Sequence, residues 1–282
     1  SYIPMLSSAF SKLTNINNGL GLDLSIIFLC VTLFGFSVYK GLDKGIKTLS
    51  NVNLSLALIF LLLILLSADF VDIFNSSLSS IKFSLIYFWD MSTLGVNGES
   101  DFAKEWTIFY WAWWVAFGPL VGLFIARISK GRTIKEVILG MLFFGTLGTW
   151  LFYLILGGYS MNGEISGQLQ VLDSMRQNGH ADTVIGIINS LPFSFLMLLI
   201  FFVITIVFIT TSYDSMSYVI SYHVLKKDGN NKGPHKNLRL MWAIILGILP
   251  ASLVLYSDHS VALDLILITS LPLMLVYPLM AI

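Results

Sequence analysis

The stretch that decides the fold is WTIFYWAWWVAFGPLVGLFIARISKGRTIKE, which runs from Trp106 to Glu136. Residues 106–126 are almost entirely apolar, and the cationic side chains begin only at Arg127. A helix that crosses the hydrocarbon core of a bilayer needs about 20 predominantly apolar residues. The stretch therefore predicts a transmembrane helix that is followed by a basic loop.

The composition of the whole chain indicates the same environment. Of its 282 residues, 56% are hydrophobic and 11% are charged, whereas about a quarter of the residues in a soluble domain carry a charge. The net charge is zero, so nothing in the sequence indicates a nucleic-acid partner. The single cysteine, Cys30, excludes an internal disulfide. We predict an all-α integral membrane protein of the cell membrane, with the lipid bilayer as its surroundings.

Apolar runs of the required length predict about seven transmembrane helices. They cover residues 22–39, 52–69, 106–126, 137–159, 194–221, 238–256 and 261–282. Pro192 is expected to separate the fifth run from a short interfacial helix. Residues 80–98 mix aromatic with polar side chains, and we expect them to lie on the membrane surface. Residues 1–21 lack a signal-peptide pattern and are expected to be the remnant of a preceding helix.

The distribution of cations predicts the orientation. Of the 16 Lys and Arg residues, 12 fall in three alternate loops between the predicted spans. These residues are Lys40, Lys44, Lys47, Arg127, Lys130, Arg132, Lys135, Lys226, Lys227, Lys232, Lys236 and Arg239. Cytoplasmic loops carry an excess of Lys and Arg. The first predicted span should therefore start outside, and the chain should end inside.

An aromatic stripe follows one face of the third span. At about 100° per residue, its five members fall within about 100° of arc. They are Trp106, Tyr110, Trp113, Trp114 and Phe117. An interfacial anchor explains Trp106, but the deeper rings either pack against a neighbouring helix or line a cavity that attracts a cation. Trp111 is rotated by about 100° or more from most of the stripe and is expected to matter less.

The pair Gly118–Pro119 follows the stripe directly. Because proline has no backbone N–H, it is expected to bend the helix and to free backbone carbonyl groups. The pair either shapes helix packing or acts at the binding site.

The fifth span carries Phe208, Thr211, Ser212 and Ser215 at i, i+3, i+4 and i+7. Hydroxyl groups within a span bond back to carbonyls one turn earlier, join neighbouring helices or bind a ligand. The nearby Asp214 either has a function, as an ionisable group at membrane depth, or forms a structural pair with a basic loop residue such as Arg127 or Lys130.

Three motifs resemble those of the betaine/choline/carnitine transporter family. The segment from Trp106 to Glu136 is similar to the signature segment of that family. GLDKGIKTLSN (Gly41–Asn51) resembles its loop between the sixth and seventh spans, and TTSYDSMS (Thr210–Ser217) resembles a motif of its tenth span. The resemblance covers about residue 15 to the end. It implies a fold of two five-helix inverted repeats with a binding site at the membrane midplane, so residues 22–282 would form an incomplete transporter domain of spans six to twelve.

The resemblance also implies which residues bind ligands. Trp113 and Trp114 match the aromatic box of the family, and Phe117 stands where the third aromatic is usually Trp or Tyr. Tyr110, on the same stripe, completes the expected substrate-binding set. Phe208, through its carbonyl group, and the hydroxyl groups of Thr211 and Ser212 match ligands of a sodium ion in sodium-coupled relatives.

The predicted function is secondary active transport of a quaternary-ammonium compatible solute such as glycine betaine, choline or carnitine. Sodium or protons would be the coupling ion, no other cofactor is expected, and some relatives form homotrimers. The alternative is a non-transporting truncated remnant of such a transporter. An enzyme is not expected, because the sequence contains no HExxH, G-x-S-x-G or phosphate-binding glycine motif.

Overall fold

The computed structural model describes residues 2–40, 42–93, 102–224, 234–255 and 259–280. Within these ranges, the chain forms twelve α-helices and two short π-helical segments, and it has no β-strand. The prediction of an all-α protein is confirmed.

The helices follow one another with short connections. In chain order they are α1 (Tyr2–Thr14), α2 (Leu20–Lys40), α3 (Leu42–Ser67), α4 (Phe70–Ile86), α5 (Phe88–Ser92), α6 (Phe109–Ile128), α7 (Ile134–Gly140), α8 (Thr146–Ile165), α9 (Val171–Asn189), α10 (Ser194–Val224), α11 (Lys236–Leu255) and α12 (His259–Met280). One π segment, Ala103–Ile108, leads into α6, and the other, Met141–Gly145, joins α7 to α8.

Each of the seven predicted spans falls on helical structure in the described part of the chain, although several of the helices extend beyond the apolar run. Five stretches there are long and apolar enough to cross a membrane: Leu20–Val38, Thr48–Ser67, Trp106–Ile128, Ile134–Ile165 and Ser194–Val224. These five correspond to the first five predicted spans. The break at Pro192 is also confirmed, since α9 ends at Asn189 and α10 begins at Ser194.

One predicted boundary is wrong. The stretch after Lys40 was expected to be a loop, but α3 already begins at Leu42. The hydrogen-bonded helix here continues beyond the limit that hydropathy marks. The segment 80–98 falls on the end of α4, which runs from Phe70 to Ile86, and on α5, and its position on the membrane surface stays a prediction. Residues 94–98 of that segment and the cations Lys226, Lys227 and Lys232 lie outside the described residues.

The chain divides into two compact units. One consists of Ser1–Ser77 and Thr133–Leu255, and the other of Leu78–Arg132 and Tyr256–Ile282. In the first unit, α10 is the central helix: it packs against α1, α2, α3, α9 and α11. Its apolar residues take part in two buried clusters, one with α1, α3, α8 and α9 and the other with α1 and α2. In the second unit, α12 packs along α6.

Candidate functional site

The aromatic side chains of α6 and of the π segment before it form two short rows of contacting rings. Phe109 and Trp113 have ring centroids 5.4 Å apart, and Trp113 and Phe117 have centroids 5.9 Å apart. In the other row, the rings of Trp106 and Tyr110 stack at 5.8 Å with an angle of 10° between their planes. The two rows meet at Phe109 and Tyr110, whose ring centroids are 5.7 Å apart. Each row uses the i, i+4 spacing that places side chains on one helix face.

The predicted stripe begins in a π segment. The prediction assumed α-helical spacing from Trp106 onwards, but Ala103–Ile108 is π-helical and turns by less per residue. The position of Trp106 relative to the α-helical part of the stripe therefore differs from the predicted one. From Phe109 onwards the spacing is α-helical, so Trp113 and Phe117 share a face as predicted.

The rings differ in how much of them is covered. Trp113 is 37% exposed, and Trp114 is 61% exposed. Phe117 is half-buried, and Tyr110 is 43% exposed. Rings that pack between helices are buried. Trp114 is not, so it does not pack against a neighbouring helix in the part of the chain that the structure describes.

A wide cleft lies at the start of α6. It has a volume of about 580 Å³. It is lined by Phe88, Trp89, Ser92, Thr93, Trp106, Thr107, Tyr110 and Trp111. Trp111 was predicted to matter less than the stripe residues, yet it contributes to the same aromatic lining as Tyr110. It is therefore unsuitable as a control for substitutions at the stripe.

The carbonyl group of Val115 has a donor from another helix. The hydroxyl of Tyr277 in α12 donates a hydrogen bond to this oxygen at 3.1 Å. Pro119, four residues after Val115, has no amide hydrogen to donate to it. The carbonyl group that Pro119 was predicted to free is therefore that of Val115, and its new donor is the hydroxyl of Tyr277.

The predicted ion ligands of α10 lie on a single helical turn. The hydroxyl of Thr211 donates to the carbonyl oxygens of Val207 and Phe208, each at 3.0 Å. The hydroxyl of Ser215 donates to the Thr211 carbonyl at 2.8 Å. Ser212 is half-buried, and its hydroxyl makes no hydrogen bond to the described residues. Thr211 and Ser215 thus show the back-bonded arrangement, whereas the Ser212 oxygen has no partner in the part of the chain that the structure describes.

Asp214 is fully buried and joins three helices. Arg239 at the start of α11 donates to one carboxylate oxygen at 2.7 Å, and Ser37 of α2 donates to the other at 2.8 Å. The predicted alternative of a structural pair between Asp214 and a basic residue is confirmed, but its partner is Arg239 and neither of the two named examples, Arg127 and Lys130. The charge pattern groups Arg239 with the loop cations, although this residue falls within the predicted span 238–256. A cation inside a span is the signal that could have identified it as the partner.

The carboxylate, imidazole and thiol groups do not form a metal-binding cluster among the residues that the structure describes. No three His, Cys, Asp or Glu side chains there are grouped so that they could hold a metal ion. An ion held by carbonyl and hydroxyl oxygens, as predicted for the turn from Phe208 to Ser212, would belong to a different class of site.

These features define a multi-pass helical membrane protein whose long spans carry an exposed aromatic face and a hydroxyl-bearing turn. The model of the family described as "BCCT, betaine/carnitine/choline family transporter" matches residues 2–282. The chain belongs to this family.

Several curated relatives carry substrate names. The chain is 33% identical to a "Carnitine transporter" of Acinetobacter baumannii over 88% of its own length and 45% of the relative's. It is 31% identical to "Glycine betaine transporter OpuD" of Bacillus subtilis, over 92% of the chain and 50% of the relative. A "Glycine betaine/proline/choline/ectoine transporter" of Vibrio parahaemolyticus is 32% identical over 87% and 43%. The chain spans about half the length of these relatives.

Proposed function

We propose that the chain contributes to secondary active transport of a small quaternary-ammonium compound, with glycine betaine, carnitine and choline as the candidates. The observation that carries the proposal is the exposed aromatic face of α6, where Trp113 contacts Phe117 and Trp114 is 61% exposed. The names of the relatives support the same substrate class.

The chemistry of the substrate explains why tryptophan is needed. A trimethylammonium group has no hydrogen to donate, so a buried site can balance its charge only with anions or with the negative faces of aromatic rings. Each ring face contributes about 0.5–2 kcal/mol, depending on how completely the cation is desolvated. Tryptophan is the strongest of the aromatic partners, and phenylalanine is weaker. Phe117 therefore supplies a π face but less attraction than the usual Trp or Tyr.

We propose sodium as the coupling ion, because the α10 turn carries carbonyl and hydroxyl oxygens. The Phe208 carbonyl and the Thr211 hydroxyl already lie 3.0 Å apart, and Ser212 is on the same turn. Hard cations prefer oxygen ligands, and carbonyl groups are among them. These three residues would be part of a ligand set, and the remaining oxygen ligands would come from other parts of the transporter.

Uptake by a chimera tests the proposal. The chain would replace the matching part of the Acinetobacter baumannii carnitine transporter, in cells without their own uptake of these solutes. Radiolabelled glycine betaine, carnitine and choline would be supplied in turn. We expect saturable uptake of at least one, which is lost in Trp113→Leu and retained in Trp150→Leu, a control at a half-exposed tryptophan of α8. A chimera that reaches the membrane yet takes up none of the three would refute the proposal.

A further inference from the structure

Pro119 leaves a gap in the hydrogen bonding of α6. In an α-helix, the amide of residue i donates to the carbonyl of residue i−4. Pro119 lies within α6 and has no amide hydrogen, so Val115 loses its regular donor. A carbonyl without a partner in an apolar environment is costly, and membrane-spanning helices with internal proline find substitutes for the lost donor.

Tyr277 supplies the substitute, and Gly118 makes room for it. The Tyr277 hydroxyl lies 3.1 Å from the Val115 carbonyl oxygen. A Cβ atom added at Gly118 would overlap that hydroxyl oxygen and would lie 3.1 Å from the ring carbon that bears it. The absence of a side chain at Gly118 is therefore required for this approach of α12 to α6.

The contact is on the flank of the aromatic face. The Tyr277 hydroxyl lies where a Cβ atom of Gly118 would be, so it approaches α6 from the direction of a Gly118 side chain. At about 100° per residue, that direction is turned by about 40° from Trp114, by about 100° from Phe117 and by about 140° from Trp113. Tyr277 therefore contacts α6 on the flank nearer to Trp114 and away from the contacting rings of Trp113 and Phe117.

We propose that Tyr277 is a positioning residue for the aromatic face of α6. Its hydroxyl takes the place of the amide that Pro119 lacks, and this stabilises the part of α6 that carries Trp113, Trp114 and Phe117. The functional part of this inference rests on the proposed function, because it concerns the same aromatic face.

The test is a cycle of Tyr277→Phe and Pro119→Ala in the full chain within the chimera. The affinity for glycine betaine would be measured by quenching of tryptophan fluorescence, together with the midpoint of thermal unfolding in detergent. Tyr277→Phe should weaken binding by about fivefold and lower the midpoint, because it removes one hydrogen bond to the half-buried Val115 carbonyl. In the Pro119→Ala background it should change affinity by less than about twofold, since alanine at this position supplies the amide donor.

A second pair of variants, Gly118→Ala with and without Tyr277→Phe, separates the loss of the hydrogen bond from a general loss of packing. Gly118→Ala should be less harmful in the Tyr277→Phe background, because the overlapping oxygen is gone. Tyr153→Phe, at an exposed tyrosine of α8, is the matched control and should change neither quantity.

Two outcomes would overturn the proposal. One is an equal loss from Tyr277→Phe in the unmodified and the Pro119→Ala backgrounds, and the other is no loss from Tyr277→Phe when Pro119 is present. If the unmodified chimera binds none of glycine betaine, carnitine and choline, the proposed function fails, and the same cycle in thermal midpoints still decides whether Tyr277 replaces the missing amide.

Discussion

The guanidinium group of Arg239 lies 2.7 Å from the carboxylate of Asp214, and both side chains are buried in the same bundle of α2, α10 and α11. The arginine also lies over the ring of Tyr218, 5.2 Å from its centroid. Ser37 donates to the second carboxylate oxygen. Asp214 is two residues after Ser212. Its bonds to Arg239 of α11 and Ser37 of α2 therefore hold the end of the hydroxyl-bearing turn against these two helices.

Replacing one partner of the Asp214–Arg239 pair should destabilise the protein more than replacing both. Asp214→Asn leaves the buried Arg239 without a counter-charge, and such a loss costs about 3–5 kcal/mol. The double variant Asp214→Leu/Arg239→Met contains no buried charge at this site and should unfold at a higher temperature than Asp214→Asn or Arg239→Met alone. Thermal unfolding in detergent measures this, with Arg176→Met at an exposed arginine of α9 as the control. Additive losses in the double variant would mean that the two groups do not act as a pair.

The sequence could predict the features that depend on neighbours along the chain. The helices around Trp106, Phe60 and Met197 follow from apolar runs, and the i, i+4 contact between Trp113 and Phe117 follows from helical periodicity. The partner of Val115 could not be predicted, because it is 162 residues away and only tertiary packing brings the two together. The partner of Asp214 is 25 residues away, and the position of Arg239 inside a predicted span was the one sequence signal for it. The π segment before α6 was also missed, since no local residue pattern distinguishes it from α-helix.

The orientation inferred from the basic loops can be tested by cysteine labelling. Lys130 and Gln177 are both exposed and lie in connections that are predicted to be on opposite sides of the membrane. Gln177 is a better site than Gly179, whose φ of 79° disfavours any side chain. In a Cys30→Ser background, an impermeant thiol reagent applied to intact cells should label Gln177→Cys and leave Lys130→Cys unlabelled. Labelling of Lys130→Cys but not of Gln177→Cys would mean that the orientation in the membrane is opposite to the predicted one.

Sodium dependence should be more sensitive to Ser212 than to Ser215. The Ser212 hydroxyl has no hydrogen bond to the described residues, whereas that of Ser215 bonds the carbonyl of Thr211. In the chimera, Ser212→Ala and Thr211→Ala should each raise the sodium concentration for half-maximal uptake by about tenfold, because each removes one oxygen ligand. Ser215→Ala serves as the matched control and should change it little. An unchanged sodium requirement in both of the first two variants would assign these hydroxyls to helix packing alone.

Substitutions in the aromatic face of α6 should weaken substrate binding, whereas a substitution at a tryptophan elsewhere should not. Trp113→Leu or Trp114→Leu should weaken glycine betaine binding by about tenfold or more, since one lost cation–π contact of about 1.4 kcal/mol corresponds to one decade. Phe117→Trp should retain or tighten binding, and Phe117→Leu should weaken it. Fluorescence titration of detergent-purified chimeras would measure the affinities, with Trp150→Leu as the control. A loss at Trp150 as large as that at Trp113 would indicate damage to folding.

The proposed function requires that the ring faces recognise a cation and not merely an apolar shape. The comparison that separates these two possibilities sets glycine betaine against 3,3-dimethylbutanoate, in which carbon replaces the quaternary nitrogen while the shape and the carboxylate are kept. Both compounds would be titrated against the same chimera. Recognition of the cation predicts that the uncharged head group binds at least about tenfold more weakly and that Trp114→Leu reduces this difference. Equal affinity for the two compounds would contradict the assignment of the aromatic face to a quaternary-ammonium substrate.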